Sequence, residues 1–279
     1  QEKIVAYMRM PAIAMAFTAG ISLSMSGAVM QSMTHNDLVS PFTLGVSAAA
    51  AFGASLCIVS GNVVMHSSIG MIAGAFLFSC LCVFLVYGIS SYTGEGASAL
   101  VLTGIAMNYF FSALSATVQF FAQEYKLGEI IQWTFGTLGK ATWNTVGITL
   151  GVMVLASIVY YFLSLSLDAM SINDDETVRS LGIYPQRIRL IAGLVSVLLT
   201  ATVISFTGVI GFIGLIAPHI ARQVTGKKNN QTLIMSALIG GGLLLFSDII
   251  ARVILPNGEM AAGIIVSLIG APYFILQLM

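Results

Sequence analysis

The sequence predicts an all-α, polytopic membrane protein, and three observations carry that prediction. Of its 279 residues, 57% are hydrophobic and only 8% are charged, where soluble domains carry roughly a quarter charged residues. Mean hydropathy is +0.96. Long apolar runs recur from end to end, each close to the ~20 residues that cross about 30 Å of hydrocarbon. None of them shows the short alternating pattern of a barrel strand.

Nine spans are expected in order: 10–33, 42–60, 66–89, 98–122, 145–166, 189–206, 208–222, 232–252 and 261–278. The seventh is short and glycine-punctuated, so it is expected not to cross as a straight helix. An odd number of spans puts the termini on opposite sides of the membrane. With no soluble domain or low-complexity linker, residues 1–279 read as one transmembrane domain. Met10–Met33 is too long for the apolar core of a signal peptide and lacks its flanks.

The connecting loops differ in character. Thr34–Pro41, "THNDLVSP", holds the turn formers Asn36, Asp37 and Pro41. Glu124–Asn144 contains an amphipathic piece around Ile130–Leu138, and its Trp133 and Trp143 fit an interfacial belt. Leu167–Arg189 is the most polar stretch, and Arg222–Gln231 is a second basic loop. With both basic loops inside, Arg179, Arg187, Arg189, Arg222, Lys227 and Lys228 are cytoplasmic. Lys3, Arg9, Lys126, Lys140 and Arg252 then lie outside, so the positive-inside rule leans only slightly to this orientation. The pairs Gly70/Gly74 and Gly147/Gly151, with Gly20, Ser24 and Gly27, mark faces where helix backbones approach closely.

Several chemistries are excluded. The 11 basic and 11 acidic residues leave no basic stripe for nucleic acid. Cys57, Cys80 and Cys82 lie inside apolar runs and read as small buried or lipid-facing side chains. His35, His66 and His219 sit in separate loops or span ends, with no metal-binding spacing. Asp248 is the one acid well inside a run, and Arg252 lies one helical turn on, so a local ion pair is expected. "GTLGKA" (Gly136–Ala141) lacks the upstream glycine and the Ser/Thr of a P-loop. The chain is expected to have no catalytic residue, metal or cofactor of its own; ATP, if used, is bound by a partner subunit.

At "GFIGLIAPHIAR" (Gly211–Arg222) the sequence resembles the iron-siderophore, haem and cobalamin permease family (FecCD-like) of type II ABC importers. The likeness extends over "RMPAIAMAFTAGISLSMSGAVMQSMTHNDLVSPFTLGVSAAAAFGA" (Arg9–Ala54), "LGIYPQRIRL" (Leu181–Leu190) and "LLLFSDIIARVILPNGEMAAGIIVSLIGAPYFILQL" (Leu243–Leu278). The resemblance implies a ten-helix subunit whose first helix precedes Arg9. That helix is expected to be missing from this sequence, which would make both termini cytoplasmic. It also implies a homodimer or close heterodimer of permeases, two cytoplasmic ATPase subunits, and an extracytoplasmic substrate-binding protein. The expected setting is a bacterial or archaeal cell (inner) membrane. The cargo is expected to be a ferric siderophore first, then haem, then cobalamin.

Residue by residue, the resemblance places Arg9 and Arg252 where external arginines meet acids of the binding protein. Ala12 stands where relatives often carry a second arginine, which would thin that footprint. Arg179, Leu181, Gly182, Tyr184 and Pro185, with His219 and Arg222, match the ATPase-coupling region. Gly182 suits a sharp turn, and Pro185 stiffens the corner after Tyr184. Pro218 is expected to end or kink its helix, sending His219 and Arg222 to headgroups or the coupling loop. Asn36 and Leu38 match one inner gate loop, which Asp37, in place of a usual proline, is expected to loosen. Gly96, Ala97 and Ser98 match the other. Asn108, Ser112, Ser115, Thr117 and Gln119 are expected to give the pathway neutral hydrogen-bonding groups. Two rivals remain: an ion-coupled secondary carrier, and an intramembrane enzyme or scaffold.

Overall fold

The computed structural model describes residues 5–60, 63–93, 96–226, 229–254 and 260–277, and among them no strand occurs. Lys3, Lys227 and Lys228 of the charge count lie outside the described residues. A wide helical turn over Val5–Arg9 leads into α1 (Met10–Thr34). There follow α2 (Val46–Val59), the one-turn α3 (Val63–His66), α4 (Ser68–Thr93), α5 (Ala97–Phe121) and the short amphipathic α6 (Glu124–Thr134). The second half holds α7 (Trp143–Ile172), α8 (Asp175–Ser180), α9 (Pro185–Thr207), α10 (Ile213–Thr225), α11 (Asn229–Val253) and α12 (Ala262–Gln277).

Each of the nine expected apolar segments contains a helix. Six are long and apolar enough to cross a membrane alone: α1 with its preceding turn, α4, α5, α7, α9 and α11. The other three, α2, α10 and α12, are shorter. At 13 residues, α10 is only about 20 Å long.

Burial ranks the helices. In α1, 78% of the apolar window is buried, against 22% in α5 and in α7. α1 is therefore the central post, packed by α7, α9, α10 and α11, while α2 with α4, α5 and α6 forms a flanking group. A central helix in an apolar body must satisfy its polar side chains internally. Thr18, Ser22, Ser26, Ser32 and Thr34 each donate to the carbonyl four residues back, at 2.7–2.9 Å. The hydroxyls thereby find partners within the helix, Ser32 also meeting Asn229 Oδ1 of α11 at 2.7 Å, and their small size is what packing uses.

Small residues bring backbones into contact at three crossings. A Cβ on Gly20 would strike the Gly240 carbonyl, one on Gly27 the Gly214 carbonyl, and one on Gly53 the Gly74 carbonyl. These join α1 to α11, α1 to α10, and α2 to α4. The pair Gly147/Gly151 does not take part, since no atom within 4 Å would meet a Cβ at either position. Sequence spacing alone does not distinguish a packed glycine pair from one facing outward.

Between α9 and α10 the chain breaks sharply. Gly208 (φ +72°) and Phe212 (φ +64°) both take left-handed backbone conformations, which a side chain disfavours. The expected helix from Gly208 to Pro218 is therefore displaced: Gly208–Phe212 is non-helical, and α10 runs from Ile213 through Pro218 to Thr225. Pro218 does not end it. Its missing N–H removes only the bond to the Gly214 carbonyl, and that carbonyl instead accepts from Gln31 Nε2 of α1 at 3.4 Å.

At the same level Gly136, Gly208 and Gly263 converge. A Cβ on Gly136 would meet the Val209 carbonyl, one on Gly208 the Trp133 carbonyl, and one on Gly263 the Phe135 carbonyl. Thr137 N donates to Thr207 O at 2.7 Å in the same knot. The tryptophans divide: Trp143 is 49% exposed and donates to the Ala6 carbonyl at 3.0 Å, whereas Trp133 packs on the core. Lys126 of α6 donates to the Val59 carbonyl at 3.1 Å, placing a cation at the end of α2.

These contacts predict a contrast between two glycines. Gly27→Val must push backbone rather than a flexible side chain, so it should cost at least about 1–3 kcal/mol and lower the unfolding temperature in detergent. Gly147→Ala should shift stability by less than about 0.5 kcal/mol.

Candidate functional site: a surface knob wired to an inner loop

The polar segment Leu167–Arg189 folds into a tight corner. α8 ends with Gly182 at φ +81°. Ile183 N bonds to Val178 O at 3.3 Å and Gly182 N to Arg179 O at 3.0 Å, the paired bonds of a Schellman cap. Ile183 packs on the core cluster that includes Val178, giving that cap its apolar contact. Pro185, buried, then starts α9 at its first turn, where a missing N–H costs nothing. The outer surface of this corner is bare: Leu181 and Tyr184 are each 61% exposed. Arg179 is also exposed, and Arg187 lies over the Tyr184 ring, 5.0 Å from its centroid.

Behind the knob lies a residue that the sequence pattern left among the cytoplasmic positives. The Arg189 side chain is only 4% exposed. Its two terminal nitrogens donate to the two carboxylate oxygens of Asp175, both at 2.7 Å. Its Nε donates to the Met33 carbonyl at 3.0 Å. Its own carbonyl accepts from Tyr87 Oη of α4, also at 3.0 Å. One buried guanidinium thus joins α8, α9 and the inner end of α1. Hydrogen bonding from Arg189 holds the Asp175 carboxyl below its ordinary value of 3.8, outweighing partial burial, with Arg189, His35 and Arg179 adding positive charge nearby.

Two residues beyond Met33, α1 ends on His35 in left-handed geometry (φ 51°), and the loop Asn36–Leu38 begins. Asn36 Oδ1 accepts from Leu38 N at 2.9 Å, an Asx turn. Val39 N bonds to Asn36 O at 3.2 Å, and Leu38 is 58% exposed. Asp37, expected to loosen the loop, is instead held: Arg222 of α10 donates to its Oδ1 at 2.8 Å and to Gln31 Oε1 at 2.6 Å. Gln31 was not singled out by sequence, because a glutamine inside an apolar run has no motif around it. His219 makes an edge-on ring contact with Tyr273 of α12, centroids 6.2 Å apart.

Gly96, Ala97 and Ser98 lie at the start of α5; Gly96 and Ser98 are exposed and Ala97 partly so. Further along α5, Asn108, Ser112, Ser115 and Gln119 follow an i, i+4, i+7, i+11 spacing and share one stripe. Ser112 is exposed, Asn108 and Gln119 are half-buried, and Ser115 is buried without a hydrogen-bond partner for its hydroxyl. Thr117 points elsewhere and bonds back to Ala113 O at 2.9 Å. The stripe therefore sits at the margin between the packed and the open faces of α5.

On the opposite side, Arg9, Ile13, Asp248 and Arg252 line a cleft of about 420 Å³. Arg252 Nε pairs with Asp248 Oδ2 at 2.8 Å, the local ion pair expected from their spacing. Ala12 is fully buried. A second acid, Asp168 near the end of α7, accepts from Asn229 N at 2.6 Å and so caps the start of α11. Its position near a span end gave no distinguishing signal.

The profile of the FecCD transport family matches residues 1–279. The chain belongs to that family. The cobalamin import system permease protein BtuC of Halobacterium salinarum is 34% identical over 276 residues, covering 99% of this chain and 73% of that protein. The iron(3+)-hydroxamate import system permease protein FhuG of Bacillus subtilis is 30% identical over 276 residues, covering 97% and 82%. A solved inward-facing transporter, assigned to the metal-chelate type of ABC transporter, superposes with a TM-score of 0.91 at 29% identity, over 100% of this chain and 88% of that one. This FecCD-family chain is thus a multi-pass membrane permease with the type II ABC importer fold, and the ATPase role lies in a separate subunit.

The Asp175 geometry predicts an acid limb in stability. A carboxyl with a depressed folded value contributes stability above its unfolded value, and loses it as pH falls through the folded one. Thermal stability should therefore fall between about pH 5 and 2 in the wild type, and Asp175→Asn should flatten that part of the profile.

Proposed function

We propose that this chain is the permease subunit of an importer for an iron chelate, with a ferric siderophore as the cargo. A binding protein delivers the chelate from outside, and two ATPase subunits drive the cycle from inside. The observation that carries this reading is the wiring of the exposed Gly182 corner, through buried Arg189, to the Met33 carbonyl at the root of the inner loop. A push on α8 moves Asp175. Two short bonds pass that displacement to Arg189, and a third passes it to the end of α1.

Other features support the scheme. The Leu181–Tyr184 surface is an apolar and aromatic knob with Arg179 beside it, suited to a cleft with acidic walls. The α5 stripe offers neutral polar groups to a second permease copy or to the pathway between copies. A large chelate then passes weakly interacting walls rather than a tight site. Arg9, exposed beside the Arg252–Asp248 pair, gives the outer cleft a cation for acids of the binding protein. Such charges set register and encounter rate more than affinity. Asp248, already committed to Arg252, is a poor candidate for the working acid of an ion-coupled carrier. Identity does not separate the cargoes, at 34% to the cobalamin permease and 30% to the hydroxamate one; ferric siderophore is put first because iron-chelate and iron-hydroxamate names recur most among the similar proteins.

Two experiments test the reading. Proteoliposomes holding the permease with its ATPase and binding protein should accumulate a radiolabelled ferric hydroxamate only with ATP inside. Uptake of haem or cobalamin instead would reassign the cargo, and uptake by the permease alone would reject the ATP-driven scheme. Second, a Cβ at Gly182 meets no atom within 4 Å, so Gly182→Val acts through backbone conformation alone, costing about 1–2 kcal/mol. It should leave the chain folded but lower uptake per ATP hydrolysed. Gly182→Asn, which tolerates that backbone, should restore much of it.

A further inference from the structure

We propose that Arg222 and Gln31 are positioning residues for the inner loop, forming a charge latch that ties Asp37 to the carbonyl freed by Pro218. The latch rests on the reading of Asn36–Leu38 as an inner gate. Four links make it up. Pro218 lacks an N–H, which leaves the Gly214 carbonyl without its helical donor. Gln31 Nε2 approaches that carbonyl at 3.4 Å. Gln31 Oε1 accepts from Arg222 at 2.6 Å, and the same Arg222 nitrogen donates to Asp37 Oδ1 at 2.8 Å. The amide of Gln31 is oriented by having a donor on one side and an acceptor on the other, and it in turn aims the guanidinium at the loop.

The strength of the last link is graded by exposure. The Gln31 end is buried, with Gln31 only 2% exposed. The Asp37 end is open, with side-chain exposure of 22% for Arg222 and 59% for Asp37. Both ends line a polar cleft of about 320 Å³, with His35 and Asn229 on its other walls. A half-solvated ion pair is weak and screened by salt. That makes the latch a soft one: it fixes where the loop rests and releases when α10 shifts against α1. A proline at position 37 could not form it, so the residue that departs from the related pattern is the one that supplies the anion.

The test uses the permease reconstituted with its ATPase, with Leu38→Cys carrying a nitroxide label and Cys57, Cys80 and Cys82 replaced. Spectral line shape then reads loop mobility directly. Asp37→Ala, at an exposed position that spares the fold, should raise the mobile fraction roughly two- to five-fold. High salt should do the same in the wild type and add nothing in Asp37→Ala. Asp37→Arg combined with Arg222→Asp should return the spectrum toward wild type. Equal mobility in wild type and Asp37→Ala would overturn the latch, as would a swap that fails to restore order. A mobile loop with unchanged uptake and no added leak would leave the latch standing and remove the gate role of Asn36–Leu38.

Discussion

A guanidinium at 4% exposure is the constraint around which the end of the molecule holding the Gly182 corner is arranged. Taking that charge from water costs several kcal/mol unless it is fully paired. The fork of Arg189 meets the carboxylate of Asp175 on one edge and the Met33 carbonyl on the other. None of the three elements can relocate independently without leaving a buried charge exposed to apolar surroundings. Gly193 completes the arrangement, because a side chain there would occupy the place of the Tyr87 hydroxyl that bonds the Arg189 carbonyl. The most polar stretch of the sequence is therefore a stiff bracket.

The distinction between rigid and yielding contacts runs through the molecule. The Arg189 bridge is buried and bidentate; the Arg222–Asp37 pair is half in water and single-bonded. Both approach the same short stretch at the end of α1, one through Met33 and the other through Gln31 and Asp37. The root of the inner loop is held firmly and its tip weakly. That is the gradient expected where motion must be passed on by one part and undergone by the next.

Much of the architecture was legible in the sequence because a bilayer imposes length and apolarity on each span. The turn at Gly182 and Pro185 was legible too, since a glycine and a proline there carry backbone requirements that the local sequence shows. The partners of buried charges were not. Arg189 lies 14 residues from Asp175 and 156 from Met33, and nothing local in the chain records either meeting. The same holds for Gln31, whose partners on α10 lie more than 180 residues away. Small residues misled in the opposite direction: Gly147/Gly151 has the spacing of a packed pair but no neighbour, whereas Gly20, Gly27 and Gly53 are truly in contact. Pro218 is expected to end or kink its helix because an internal proline normally leaves an orphaned carbonyl; the helix runs through it instead, and the carbonyl finds a donor on another helix.

The outer junction of Gly136, Gly208 and Gly263 is built in the opposite way to the Arg189 bracket. A backbone carbonyl lies against each of the three glycines there, with the Ile210 side chain also at Gly136, so main chain makes most of the contact. Two smooth surfaces can rotate past one another without unpacking, as in a bearing. With a stiff lever at the inner end and a bearing at the outer one, α9 and α10 have a natural fulcrum near Gly208. Under the proposed function, a small displacement of the knob is then passed on as tilt rather than absorbed as local distortion.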